Sequence, residues 1–520
     1  FSGGITLEKT DGFFKERYDT IIIGGALSGL ASALMLADKG KDVLVLEQHN
    51  LPGGLATSFV RGGVELEATL HEMMSIGPEE QPLKIRKFFD EIGVKIDWIP
   101  VPEAYRVILP NSDIDVTLHP GYERMAHEVD SAVPGTYEKV LHLMQLCNTV
   151  YESVNVLSVH PMSKVHMLIK HDQFVKTAGY SAMDVIDTFD LPREAVEILS
   201  AYWIYVGNPM TTLPFTVYAV LMADYFRGSY VCNNLSHGMS LAMERRAVEL
   251  GAQVEYRQHV EKILVKNGRV TGVRTSRGDV IKSDYVISGA YPNTVYSKMI
   301  EPLSEVPACA IRSINARRMS VTCFSVIMLL DQTPEQLGID SYSVFSGDTL
   351  DTEKIYEQCK TLGPYDYLTT ICLNHANPDC VPKGMTELSI TTLPLPEGWF
   401  KITEDDYHKT ERRIARQMIE KIEKLHGINL LDHITEIVIE SPMTIAHYTG
   451  AWNGGIYGYR HCQDDNIVAR LTMSDEERYI TGLEFAGAHA ISGNGMSPCI
   501  TNGRKAAKGV LDEMEKEARA

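Results

Sequence analysis

The 520-residue sequence predicts an α/β protein: a Rossmann-like, parallel-sheet domain with an α+β domain inserted into it. Three observations carry this expectation. Near the N-terminus a β-branched run, a glycine-rich turn, a helical stretch and a second strand follow one another within about 30 residues, the order of a βαβ unit. Strand and helix patterns of the same character return around residues 230–300 and again at the C-terminal end. Between these blocks lie two stretches of different texture, rich in Met and Tyr. At about 150 residues per domain the length suits two or three units.

The elements follow in order. Tyr18 to Ile23 reads as the first strand, Ser28 to Lys39 as a helix stopped at Gly40, and Asp42 to Glu47 as the second strand. Downstream, Met239 to Leu250 reads as a helix, followed by strands at Gln253 to Tyr256, Val260 to Lys266, Arg269 to Ser276 and Asp279 to Ser288. Asn267-Gly268 and Arg277-Gly278 are hairpin signals within that meander. Thr403-Glu404-Asp405-Asp406 has the form of a capping box, ahead of a core stripe at Ile414, Met418, Ile422 and Leu425 that ends at Gly427. Tyr479 to Ala486 reads as a strand and Gly495 to Lys516 as a helix. Residues 14–100, 230–300 and 441–520 are thus expected to form the Rossmann-like domain, and 101–229 and 301–440 the second.

Composition excludes several functions. With 49 basic against 68 acidic residues the net charge is −19, which repels a phosphate backbone, so no nucleic-acid partner is expected. The strongest apolar runs, Phe215 to Phe226 and Cys323 to Leu330, are shorter than the ~20 residues that span a bilayer. Phe1 to Lys15 lacks the apolar core of a secretory signal, which points to the cytoplasm. Nine cysteines without a Cys-x-x-Cys spacing read as reduced thiols. His71-Glu72-Met73-Met74-Ser75 misses the second ligand of a zinc helix, so no metal is expected.

The turn after the first strand, Gly24-Gly25-Ala26-Leu27-Ser28-Gly29, is a dinucleotide fingerprint with Ala26 in place of the middle glycine. Gly24 permits the tight turn and Gly29 the close helix packing. N–H groups at the helix start face a pyrophosphate, and Glu47 accepts from a ribose hydroxyl. Six residues after Glu47 comes a second doublet, Gly53-Gly54. A further close backbone approach beyond the ribose acid suits an extended FAD rather than NAD.

Here the sequence resembles a known family. Ile21 to Leu30, Val43 to Glu47 and Pro52-Gly53-Gly54-Leu55-Ala56-Thr57 are similar to the flavoprotein superfamily of amine oxidases and phytoene desaturases, whose FAD domain is Rossmann-like and of the GR2 type. His237-Gly238-Met239-Ser240, His259-Val260-Glu261-Lys262-Ile263 and Val286-Ile287-Ser288-Gly289-Ala290 resemble its branch of phytoene dehydrogenases, carotenoid isomerases and retinol saturases. So do Leu483 to His489, Gly493-Asn494-Gly495-Met496-Ser497-Pro498 with Gly503, and Tyr448-Thr449-Gly450 with Gly454 to Gly458. The resemblance implies FAD held by Gly24, Gly25, Ala26, Ser28, Gly29, Glu47, Gly53, Gly54, Leu55, Ala56, Thr57, Val260, Gly289, Gly487, Ala488, Gly495, Met496 and Ser497. Two departures bear on the reaction: Leu55 stands where many relatives have Arg, and Ala488 where many have an acidic residue.

The activity implied is that of an FAD-dependent oxidoreductase that saturates, desaturates or isomerises carbon–carbon double bonds of an apolar isoprenoid, carotenoid, retinoid or unsaturated fatty-acyl substrate. The electron donor or acceptor lies outside this chain. His71, Glu72, His489 and Tyr457 are the candidates for handling protons. An elongated cavity is expected, lined partly from residues 200–225 and 320–330, with an apolar patch at its mouth suited to peripheral membrane contact. Against the cavity, Tyr202, Trp203, Tyr205, Tyr218 and Tyr225 also fit a plain aromatic core. A flavin amine oxidase is the alternative enzyme. A non-catalytic carrier of prenylated proteins, like the Rab escort and dissociation-inhibitor proteins, is the alternative of another class.

Overall fold

The computed structural model describes residues 13–68, 72–157, 164–466, 470 and 479–519. Strand β1 (Thr20–Ile23) runs into helix α1 (Leu27–Asp38) and strand β2 (Val43–Leu46). Helix α2 (Leu235–Glu249) precedes strand β3 (Gln253–Glu255), then come β4 (Val286–Ser288), β5 (Leu483–Phe485) and helix α3 (Met496–Arg519). The five strands form one parallel sheet in the order β5-β4-β1-β2-β3. That is the strand order of a Rossmann sheet, with its switch point between β1 and β4. Helices α1, α2 and α3 cover one face, and the antiparallel strands of residues 260–282 pack on the other, so β1, β2 and β4 are continuously buried rather than alternating. Each of Ile21, Ile22, Leu44 and Val45, fully buried here, contributes about 1.5–3 kcal/mol relative to exposure.

Helix α3 docks on α1 because Gly503 presents no side chain. A Cβ there would lie 2.0 Å from the carbonyl oxygen of Ser28. The Ser32 hydroxyl bridges the two helices, bonding the carbonyl oxygens of Ser28 and Gly503, each at 2.9 Å. This contact brings the N-terminus of α3 to the turn that follows β1.

The meander differs from expectation in one respect. Val260–Lys266 and Arg269–Thr275 form the expected hairpin, with Asn267 and Gly268 both at positive φ. The stretch Asp279 to Ser288, expected as one strand, is two. Val280–Lys282 pairs with the hairpin, while Val286–Ser288 is the central β4 of the parallel sheet. Ser283 turns the chain between them, its hydroxyl donating to the Tyr285 carbonyl at 2.8 Å. The alternating exposure of 280–282 and the full burial of 286–288 show the two environments. The strand expected over Tyr479 to Ala486 is likewise only Leu483–Phe485, since Gly482 turns the chain at φ +77°.

A second, seven-stranded sheet draws on residues 105–118 and 324–440. Its order is Ile434–Glu440, Phe324–Leu330, Thr386–Thr392, Leu368–Cys372, Ser343–Ser346, Tyr105–Leu109, Ile114–Leu118. Phe324, Val326, Met328 and Leu330 pack with Ile414, Met418 and Ile422 of the long helix Glu404–His426. The alternate residues, including Ser325, Ile327 and Leu329, therefore occupy the opposite face. The expected capping box does not close: Thr403 makes no cap bond to the backbone, and its hydroxyl donates to the Asp406 carboxylate at 3.1 Å. Leu425, at the end of the stripe, is only half-buried, and Gly427 ends the helix at φ +67°.

Tyr202, Trp203 and Tyr218 are buried in the core beside the helix Tyr137–Leu157; Tyr202 packs edge-on against Tyr105, Phe226 and Phe345, Trp203 edge-on against Tyr367, and Tyr218 beside Phe215. All nine cysteines are free thiols. Among the described residues no helix is long and apolar enough to cross a membrane, and no group of three His, Cys, Asp or Glu could hold a metal.

Candidate active site

A cavity of about 1320 Å³ opens at the switch point and extends along the seven-stranded sheet. Its floor is the turn after β1. Gly24 adopts φ +99°, and a Cβ on Gly29 would lie 2.0 Å from the Gly24 oxygen, so α1 starts directly against the strand end. The N-cap residue Ala26 makes no side-chain cap bond, which leaves first-turn N–H groups of α1 free for an anion. The doublet is sewn to this turn: the Gly53 N–H donates to the Gly25 oxygen at 2.9 Å, and Ala26 bridges Gly53. A Cβ on Gly54 would stand 2.9 Å from the Ala26 Cβ. The alanine in the fingerprint is accommodated by the glycine of the doublet.

Glu47 is buried at the end of β2 and lines the cavity. Its two carboxylate oxygens accept from the Gly25 N–H at 2.6 Å and the His49 N–H at 2.7 Å, leaving lone pairs for a diol. Ser28, Leu55, Ala56, Thr57, Val260, Gly289, Gly487, Ala488, Gly495 and Met496 line the same cavity. Gly25, Gly29 and Ser497 do not. Gly25 holds Glu47, Gly29 sets the helix approach, and the Ser497 hydroxyl donates to the Met74 carbonyl at 2.5 Å.

The proton candidates separate clearly. His71 lies outside the described residues. Glu72 is buried behind the cavity wall and does not line the cavity. It accepts from the Tyr205 hydroxyl and, at 2.6 Å, from the Ser229 hydroxyl. Burial outweighs these two bonds and pushes its carboxyl up to about 7. Tyr205 does line the cavity, with its carbonyl held by the Asn494 amide at 2.9 Å just before α3.

His489 lines the cavity against Tyr291 and Phe485, and its Nε2 has no hydrogen-bond partner. Burial first, then the Arg317 and Arg470 charges, push it down to about 3, so it stands neutral near pH 7. Tyr457 also lines the cavity, but its hydroxyl donates to the Ile204 carbonyl at 2.7 Å, and burial raises its pKa.

The walls differ from expectation. Of residues 200–225 only Ile204 and Tyr205 reach the cavity, and of 320–330 only Cys323, because the other aromatic side chains are taken up in the core. The wall comes instead from Thr369, Thr391 and Leu393, from Val438 to Glu440, and from residues 443–457. His237 and Gln258 line the cavity with unpartnered polar atoms. Glu440 does too, its Oε2 unpartnered and its carboxyl pushed up by burial to about 7. None of these three stood out by spacing. Val60, Met443 and Tyr448 line the cavity while remaining 62%, 48% and 57% exposed, which places apolar surface at its mouth.

Residues 27–511 match the model of the family described as flavin containing amine oxidoreductase. The chain belongs to this family. It is a flavin-dependent oxidoreductase, and the cradle of glycines, free helix N–H groups and buried glutamate fits such a cofactor. The chain is 24% identical to a chloroplastic prolycopene isomerase of Daucus carota, covering 99% of this chain and 83% of the relative. It is 22% identical to an all-trans-retinol 13,14-reductase of Danio rerio, covering 91% and 84%. Among solved structures, an oxidoreductase from Methanosarcina mazei superposes with a TM-score of 0.62 at 16% identity, covering 95% of this chain and 99% of that one. That likeness shows the shared fold.

Proposed function

We propose that this chain uses FAD to add, remove or shift hydrogen at carbon–carbon double bonds of an apolar isoprenoid-like or fatty-acyl substrate. One observation carries the reading: a single large cavity joins the dinucleotide cradle to long apolar walls. The prolycopene isomerase and retinol reductase named above support the class of substrate. In this reading residues 14–100, 230–300 and 441–520 hold the cofactor, and 101–229 with 301–440 hold the substrate.

The first turn of α1 would bind the pyrophosphate through backbone N–H groups, and Glu47 would accept from the adenosine ribose. The N-terminus of α3, where Gly495 and Met496 line the cavity, would favour negative charge on a flavin ring held there. Bound FAD supplies hydride exchange at flavin N5. Glu72 exchanges a proton with the cavity through the Tyr205 hydroxyl, its raised pKa leaving it part-protonated near neutral pH. His489 stays neutral and orients by hydrogen bonding. Leu393, Val438 and Ile445 keep the cavity dry. Val60, Met443 and Tyr448 at the mouth suit peripheral contact with a membrane from which a lipid is drawn.

The test is the purified protein itself. A yellow preparation that releases FAD on denaturation, and that alters a retinoid, carotenoid or unsaturated fatty acid, supports the reading. A colourless protein that stays colourless with added FAD overturns it.

A further inference from the structure

The seven-stranded sheet carries a polar row on its cavity face. Ser325 is the direct cross-strand partner of Glu440 on one side and of Thr391 on the other, and Thr391 is the partner of Thr369. Direct partners project to one face, so Glu440, Ser325, Thr391 and Thr369 stand side by side over about 14 Å, three inter-strand steps. The face is opposite to that covered by the helix Glu404–His426. The Ser325 and Thr391 hydroxyls bond each other at 2.7 Å. Glu440 and Thr369, at the two ends of the row, have no such satisfaction: both are buried and line the cavity, and the Glu440 Oε2 and the Thr369 Oγ1 lack hydrogen-bond partners.

Leaving a buried carboxyl unpaired is costly, far more so than a hydroxyl. The cavity-lining neighbours two residues along the same strands are Cys323, Leu393 and Val438, so apolar side chains flank the polar row. A purely hydrocarbon ligand seated there would leave Glu440 unsatisfied, whereas an apolar chain ending in a hydrogen-bonding oxygen would pair it.

We propose that Glu440 is the docking point for a hydroxyl at one end of the substrate, so that the substrate is an apolar long-chain alcohol. The proposal rests on the lipid reading above and narrows it. An alcohol both donates and accepts, and it therefore pairs the carboxyl in either protonation state, which a carbonyl does not. A cationic amine would demand a fully ionised pair in a buried wall, at a desolvation cost that nothing else in the row offsets.

The test uses the flavin-loaded protein and three probes of one chain length: geranylgeraniol, its methyl ether and geranylgeranylamine. Binding is read from perturbation of the visible flavin spectrum, not from turnover. The alcohol is expected to bind about tenfold more tightly than the ether, the effect of one well-made hydrogen bond to a buried group. Glu440→Met should bring the alcohol down to the level of the ether, and Glu440→Gln should retain most of the preference. Equal binding of alcohol and ether to the unaltered protein overturns the docking point while leaving the lipid reading standing, as does an undiminished preference in Glu440→Met. Tighter binding of the amine overturns it in favour of a cationic ligand. Failure of all three probes to bind overturns both. Should Glu440→Met lose its flavin, the comparison on the unaltered protein and the Gln variant still decides.

Discussion

Tyr205 donates its hydroxyl to Glu72 across 133 residues of sequence, linking a cavity-lining phenol to a carboxyl buried behind the wall. The arrangement gives a titrating group near pH 7 an outlet to the cavity without exposing it to water. A carboxyl at its ordinary value near 4.5 would hold almost no proton at that pH.

Glu72→Gln and Tyr205→Phe should each lower turnover by about 10²–10⁴-fold while flavin content stays intact. In the direction that adds hydrogen, Glu72 works in its protonated form, so kcat/KM should fall as pH rises through about 7. Glu72→Gln should abolish that limb. Pre-steady-state rates across pH 5.5–8.5 measure it, and an unchanged limb in Glu72→Gln would assign the proton to another group.

Glu47→Ala should weaken flavin retention, measured as the flavin-to-protein ratio after extensive dialysis. The change removes the ribose acceptor and also strands the N–H groups of Gly25 and His49, at a cost of about 1–3 kcal/mol for each buried donor left unpaired. Glu47→Gln, which keeps one acceptor, should fall between. Undiminished flavin in a folded Glu47→Ala protein would refute the ribose assignment.

Stability should decline from mildly acidic to mildly basic pH through Glu387. Burial pushes this carboxyl up to about 8 from an ordinary value near 4.5, against one hydrogen bond from the Glu67 N–H at 2.7 Å. With the folded value raised, the native state binds more protons than the unfolded one between those values. The stabilisation is complete below about 4.5 and is lost as pH rises through about 8. Thermal unfolding of Glu387→Gln should show a shallower fall in Tm from pH 5 to pH 8.5 than the unaltered protein. Parallel curves would show that Glu387 ionises normally.

How much of this was legible in the sequence follows from range. The β1 turn, the Gly53-Gly54 doublet, the 267–268 hairpin and helix α3 are written in local chemistry, in glycines and β-branched runs. The Tyr205–Glu72 bond and the row from Glu440 to Thr369 arise from tertiary contact and strand register, which leave no mark in a single sequence. Thr369 and Thr391 look like ordinary strand residues, and Glu440 like a solvent-facing one. The aromatic run at 202–225 admitted both tunnel and core, and its helical spacing favoured the core. Packing against Tyr105 and Phe345 put most of it in the core.

The most direct test is anaerobic: the purified flavoprotein, oxidised and chemically reduced, is mixed with all-trans-retinol, a poly-cis carotenoid, an unsaturated fatty acid and a primary amine, and each product is read by mass and retention. The expected result is a lipid whose hydrogen content or double-bond geometry changes, with the amine untouched. Bleaching of the oxidised flavin by the amine, with every lipid recovered unaltered, would contradict it.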